Sequence, residues 1–83
     1  MQKEEAMAKV LEIIGPFSKN QEAIKAAAPS TRILEDLGVN SARLVDIILA
    51  FEDEFSIEVD DAAADKIRTL GDAVDMIVQK TGK

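Results

Sequence analysis

The sequence predicts an all-α fold: a small four-helix bundle of three main helices and one short one, with a long first loop. Two observations carry this. Apolar residues recur at helical spacing in three stretches: Met7, Val10, Leu11 and Ile14; Leu44 to Phe55; and Val74, Ile77 and Val78. Cap residues and helix breakers fall between those stretches, and no alternating strand pattern competes with them. "FSIEV" comes closest, but it has no partner strand and reads as an apolar-anchored loop. At 83 residues, the chain is expected to form one domain spanning 1–83.

Each element has its own signal. Gly15-Pro16 stops the first helix. The connection from Gly15 to Asn40 is too long for a plain turn, so it should carry structure of its own. Within it "NQEAIKAAA" favours a turn or two of helix capped by Asn20, and Ile33, Leu34 and Leu37 are expected to press the loop onto the bundle. The second main helix spans about Ser41 to Phe55. The short helix starts at Asp60 or Asp61, either of which can cap it, and runs through "AAADKI". The last begins at Thr69, with Asp72 placed like the acid of a capping box, and "TGK" ends it.

Composition narrows the chemistry. With 47% hydrophobic and 31% charged residues the chain is foldable rather than disordered. It has no Cys and no His, which excludes a disulfide framework, a cysteine-histidine zinc site, a thiol nucleophile and a Ser-His-Asp triad. No glycine-rich phosphate loop is present either, so the chain is not expected to be an enzyme, and no metal ligands are assigned. No apolar run resembles a secretory signal or reaches membrane-spanning length, which predicts a cytoplasmic protein that does not insert into membranes.

The net charge of −6 is concentrated. Between Glu35 and Asp65 ten carboxylates face a single base, Arg43. Such a field repels nucleic acid and anionic membranes and steers encounter with basic protein surfaces. The second main helix carries much of it, and it has two apolar stripes. Leu44, Ile47, Ile48, Phe51 and Phe55 form a complete core face. Ala42, Val45 and Leu49 form a second row roughly 130° round the helix, beside Asp46, Glu52 and Asp53. One of Val45 and Leu49 is expected to pack against the long loop. The row as a whole reads as a docking face, an apolar strip rimmed by acid. Lysine at Asp46 and Glu52 should then slow association and leave the fold intact.

Ser41 stands at the N-terminal end of that helix. Ser and Asn are both good N-caps, and a cap is the plain explanation for either. A helix N-terminus also favours a phosphate, through free N–H groups and the helix dipole, and Gly38 lets the chain turn sharply before it.

The stretch "LEDLGVNSARLVDIILAFEDEFSIEVDD", continued by "AAADKIRTLGDAVDMI", resembles the acyl carrier protein family, whose helix-start motif reads Leu-Gly-x-Asp-Ser-Leu. The resemblance covers about Thr31 to Ile77, and the preceding helix and loop fit the family's four-helix arrangement. It implies that a phosphopantetheinyl transferase, using Mg²⁺, moves 4′-phosphopantetheine from coenzyme A onto Ser41, where the arm's thiol carries acyl groups as thioesters. A chain without Cys must import its thiol, and one without His must borrow its base. It implies partner enzymes with basic patches that load and transfer acyl groups in fatty-acid, lipid or secondary-metabolite synthesis. They would dock on Ala42, Val45, Asp46, Leu49, Glu52 and Asp53. It also implies an acyl pocket lined by Ile47, Phe51, Ile67 and Ile77. The expected protein is a monomer.

Three positions depart from the family's pattern. Asn40 stands for the usual Asp, Ala42 for a larger apolar residue, commonly Leu, and Arg43 brings a positive charge to an acidic or neutral position. They trim the field and contact area beside Ser41 and point to a specialised carrier with dedicated partners. Two alternatives stay open. One is an aminoacyl or D-alanyl carrier with the same attachment. The other is an unmodified interaction module that keeps the acidic face, for which Asn40 and Ala42 speak. A calcium sensor fits poorly, because the acids lack the alternating loop spacing.

Overall fold

The structure, a computed structural model, describes residues 2–81. Five helices follow in order: α1 (Lys3–Ile14), α2 (Gln21–Lys25), α3 (Ser41–Phe55), α4 (Asp61–Asp65) and α5 (Leu70–Thr81). The three long helices are those read from periodicity. α2 is the turn of helix expected inside the first loop, and α4 is the short one.

α1 buries Ala6, Val10 and Ile14, one residue per turn on a single face, while Met7 and Leu11 flank them half-buried. Gly15-Pro16 ends the α-helix but not the winding: Gly15–Phe17 tightens into a 3-10 turn, closed by the Ser18 N–H on the carbonyls of Ile14 and Gly15 at 3.1 Å each. Proline lacks a donor, so a first-turn position suits it. Asn20 caps α2, its side-chain oxygen accepting from Ala23 N at 3.1 Å.

The rest of the loop is tied down at its far end. Arg32 and Thr69 form an isolated antiparallel bridge, with Ile33 N on Arg68 O at 3.0 Å and Leu70 N on Thr31 O at 2.9 Å. Gly71 N adds a bond to Pro29 O at 2.9 Å. A Cβ at Gly71 would itself lie 2.9 Å from that carbonyl oxygen, so only glycine permits this approach. Ile33 and Leu37 are buried as expected, but Leu34 is 39% exposed. The reason is local winding. Asp36 N and Leu37 N both donate to Arg32 O, so the segment coils, and residues 33 and 37 share the inner face while 34 points away.

α3 ends at Ser56, a non-glycine residue in the left-handed region (φ 53°), whose N–H returns to Glu52 O together with that of Ile57. Past it, Ile57 and Val59 pack half-buried against the core, as an anchored loop should. Asp60, not Asp61, caps α4, through Ala63 N at 2.7 Å. α4 stops at Asp65, short of Ile67, whose N–H closes a tighter bond to Ala64 O.

The capping box of α5 is formed. Asp72 accepts from Arg68 N and Thr69 N, and its own N–H donates to Thr69 Oγ1, each at 3.1 Å. α5 includes Thr81, while Gly82 and Lys83, expected to end it, lie outside the described residues. The backbone N–H of Arg68, then that of Thr69, holds the Asp72 carboxyl below its ordinary value of 3.8. A depressed folded value adds stability above that ordinary value and loses it as pH falls through the folded one. Asp72→Asn keeps an acceptor but not the charge. Its urea midpoint is therefore expected to fall less than the parent's between pH 5 and pH 2, in parallel denaturation curves.

α1 packs most extensively on α5 and less on α3. α1 and α3 run antiparallel: Lys9 pairs with Glu54 at 3.9 Å, and Phe17, just past α1, shares a cleft with Asn40 and Arg43 at the start of α3. Phe51, Ile14, Ile33, Leu37, Ile47, Leu70 and Ile77 are fully buried between them. No helix among the described residues is long and apolar enough to cross a membrane.

Candidate functional site

The site begins at the turn that leads into α3. Leu37 and Val39 are buried and pin the turn from beneath, with Gly38 between them in the left-handed region at φ 67°. Asn40 is extended (φ −67°, ψ 134°) and caps the helix, its Oδ1 accepting from Ala42 N at 2.9 Å. Ser41 is therefore the first helical residue rather than the cap. Its side chain is exposed, and its hydroxyl makes no hydrogen bond among the described residues. Of two adjacent residues suited to the cap, the structure assigns that work to Asn40 and leaves the serine oxygen to solvent.

The first turn of α3 contains no acid, and Arg43 lies in it. A phosphodiester on Ser41 would meet the positive end of the helix, a neutral Asn40 and a nearby guanidinium, so the residues present suit a phosphate-linked arm. Arg43 pairs with Asp46 at 3.2 Å, three residues on. Both side chains are well exposed, so the pair contributes little to stability, but it pulls the cation over the flank of the acidic face. Beside the helix start lies a cleft of about 490 Å³ lined by Pro16, Phe17, Lys19, Asn40 and Arg43.

Along the outer face of α3, Ala42, Val45, Asp46, Leu49 and Asp53 are all exposed. Val45 is 61% and Leu49 56% exposed, so neither packs against the long loop as one of them was expected to. The loop's anchors, Ile33 and Leu37, are spent on the core instead. The second stripe thus has no partner within the described residues. Glu52 is different. It is half-buried, and its carboxylate accepts from Val59 N at 3.1 Å, tying the α3–α4 loop to the helix. That bond gives Glu52 a structural task, so lysine there is not expected to leave the loop unchanged, contrary to the expectation from sequence.

Ile47, Phe51, Ile67 and Ile77 are buried in one continuous core. An open cleft of about 570 Å³ between α4 and α5 reaches this set at Ile67, beside Ala63 and Met76. Ser18, which sequence reasoning passed over, donates to Leu37 O just before the site. A lone serine in a loop carries no periodic signal, so nothing in the sequence singled it out.

Comparison with known proteins agrees with this geometry. A family model described as a phosphopantetheine attachment site matches residues 5–77. The acyl carrier protein of Thermotoga maritima is 39% identical over 80 residues, 96% of each chain. The mitochondrial acyl carrier protein of Saccharomyces cerevisiae is 35% identical over 93% of this chain, which spans 63% of that relative's length. The solved structure of the acyl carrier protein from Enterococcus faecalis superposes with a TM-score of 0.79 at 35% identity, covering 96% of this chain and 99% of that one. The helices, the phosphate-compatible start of α3 and these matches agree: the chain belongs to the acyl carrier protein family, whose members bear phosphopantetheine and are carriers, not enzymes.

Proposed function

We propose that Ser41 is the attachment point for 4′-phosphopantetheine and that the chain, as one carrier domain and a monomer, presents acyl thioesters to partner enzymes. The observation that carries this is the division of labour at the helix start: Asn40 caps, and the Ser41 hydroxyl is exposed and unengaged. Bound, the group supplies the thiol that the sequence lacks. Ser41 offers the oxygen that forms the new P–O bond as the phosphoanhydride of coenzyme A breaks, and its proton passes to a base of the transferase. Intact mass after incubation with coenzyme A, Mg²⁺ and a broad-specificity phosphopantetheinyl transferase tests the reading. One added phosphopantetheine, mapped to the peptide containing Ser41, is the expected result. An unchanged mass with several transferases would favour the unmodified interaction module.

Partners are proposed to dock basic patches on Ala42, Val45, Asp46, Leu49, Glu52 and Asp53. Asp46 and Asp53 are exposed acids without the backbone contact of Glu52. Lysine at both is expected to slow association with the transferase about tenfold at low salt, less at high salt, with an unchanged circular dichroism spectrum. Stopped-flow binding across a salt series measures it. For cargo long enough to leave solvent, Ile47, Phe51, Ile67 and Ile77 are the proposed apolar lining. The neutral Asn40, the small Ala42 and the cationic Arg43 support a specialised role with dedicated partners.

A further inference from the structure

Resting on the reading of Ser41 as the attachment residue, we propose that Ser18 is a positioning residue for its modification, latching the turn that presents Ser41. Two stretches of chain, 18–20 and 36–38, run side by side, the second leading directly into the turn before that serine. Leu37 O accepts from Ser18 Oγ at 2.6 Å and from Lys19 N at 3.1 Å. Asn20 Nδ2 adds a bond to Asp36 O at 3.3 Å. The Ser18 hydroxyl also lies 3.2 Å from Asn20 O, but it has a single proton, and the shorter contact assigns that proton to Leu37 O. Its lone pairs then accept from Asn20 N at 3.1 Å, so one oxygen ties the start of α2 to the turn before α3.

The latch acts where the chain is freest. Gly38 follows Leu37 directly, in the left-handed region, and a Cβ there would sit 3.4 Å from the Lys19 Cβ. Glycine explores more backbone conformations than any other residue, so the turn depends on what grips its neighbours. Leu37 and Val39 hold it through apolar burial, which does not dictate where the peptide plane between Leu37 and Gly38 points. The two donors on Leu37 O do. Without the Ser18 hydroxyl that plane keeps one donor, and the conformer that aims Ser41 outward becomes less populated. A transferase that binds only that conformer shows a KM raised by the inverse of the fraction that remains in it, with kcat unchanged.

The test uses the full chain with coenzyme A, Mg²⁺ and the broad-specificity transferase, reading initial rates against carrier concentration. Amide hydrogen exchange at Gly38, Val39 and Ser41 is followed alongside. Ser18→Ala is expected to raise KM about fivefold, leave kcat in place and speed exchange at those amides. Ser18→Thr, which keeps the hydroxyl on an extended backbone (φ −80°, ψ 138°), is expected to restore both. Thr81→Ala is the control, since it deletes a hydroxyl-to-carbonyl bond of the same kind, Thr81 Oγ1 to Ile77 O at 2.7 Å, away from the turn. An unchanged KM in Ser18→Ala, or an equal rise in Thr81→Ala, overturns the proposal. If the parent chain is not loaded at all, the carrier reading fails. Exchange at residues 38–41 then decides the latch alone, and unaltered exchange in Ser18→Ala overturns it.

Discussion

Ser41→Ala is expected to fold as the parent does and to take up no phosphopantetheine, while Asn40→Ala keeps the proposed attachment residue and loses stability. The contrast follows from the assignment of the cap. Asn40 Oδ1 meets Ala42 N, so removing the serine hydroxyl deletes no bond that the helix uses. Alanine is also a good residue for a first helical turn. Losing the Asn40 side chain strands one N–H at the head of α3 and costs about 1 kcal/mol. Mass spectrometry and thermal melts on the two variants separate the roles. A melting temperature that falls for Ser41→Ala and not for Asn40→Ala would return the serine to the status of a cap.

Phe51→Ala carries the largest expected cost to the fold itself. Phe51 is fully buried on the core face of α3, one turn from Phe55, with ring centroids 6.3 Å apart and planes tilted by 56°. Truncation removes the aromatic contact and leaves a cavity among neighbours that relax only partly, at about 3–5 kcal/mol. Small domains hold little more stability than that in total. A fall in melting temperature on the order of 20 °C is expected, and for a marginal parent the loss of the transition altogether. Phe51→Leu keeps most of the volume and should cost far less. If the alanine variant melted within a few degrees of the parent, the core described above would be misassigned.

The long helices were legible because their apolar residues repeat at the helical period, and a repeat survives being read one letter at a time. α2 was legible from a cap and good formers, and the capping box of α5 from Thr69 and Asp72 three residues apart. The motif around Ser41 pointed to the proposed attachment residue, but it did not say which of Asn40 and Ser41 caps. Both side chains have an acceptor of suitable reach, and only the backbone angles at Asn40 decide. What escaped the reading are bonds between a side chain and a distant backbone atom. Ser18 reaches a carbonyl nineteen residues away, and Glu52 a backbone N–H seven residues away. Arg32 and Thr69 meet through main-chain atoms that every residue owns. Leu34 looked like an anchor because leucine usually is one, until a local coil turned it outward.

The pairing of α1 with α5 has a consequence for when this protein can first exist. The helix at the start of the chain finds its most extensive partner in the last one, and the Lys3–Asp75 ion pair at 3.3 Å joins the same two ends. Closing that contact requires every element from α1 to α5, so native packing waits on α5 even though the individual helices wind locally. During synthesis α3 emerges with its serine before α5 does, and until then α1 has only its lesser contact with α3. A turn before Ser41 that leans on this packing therefore settles only once α5 has joined α1, later than the winding of the helix that carries the serine.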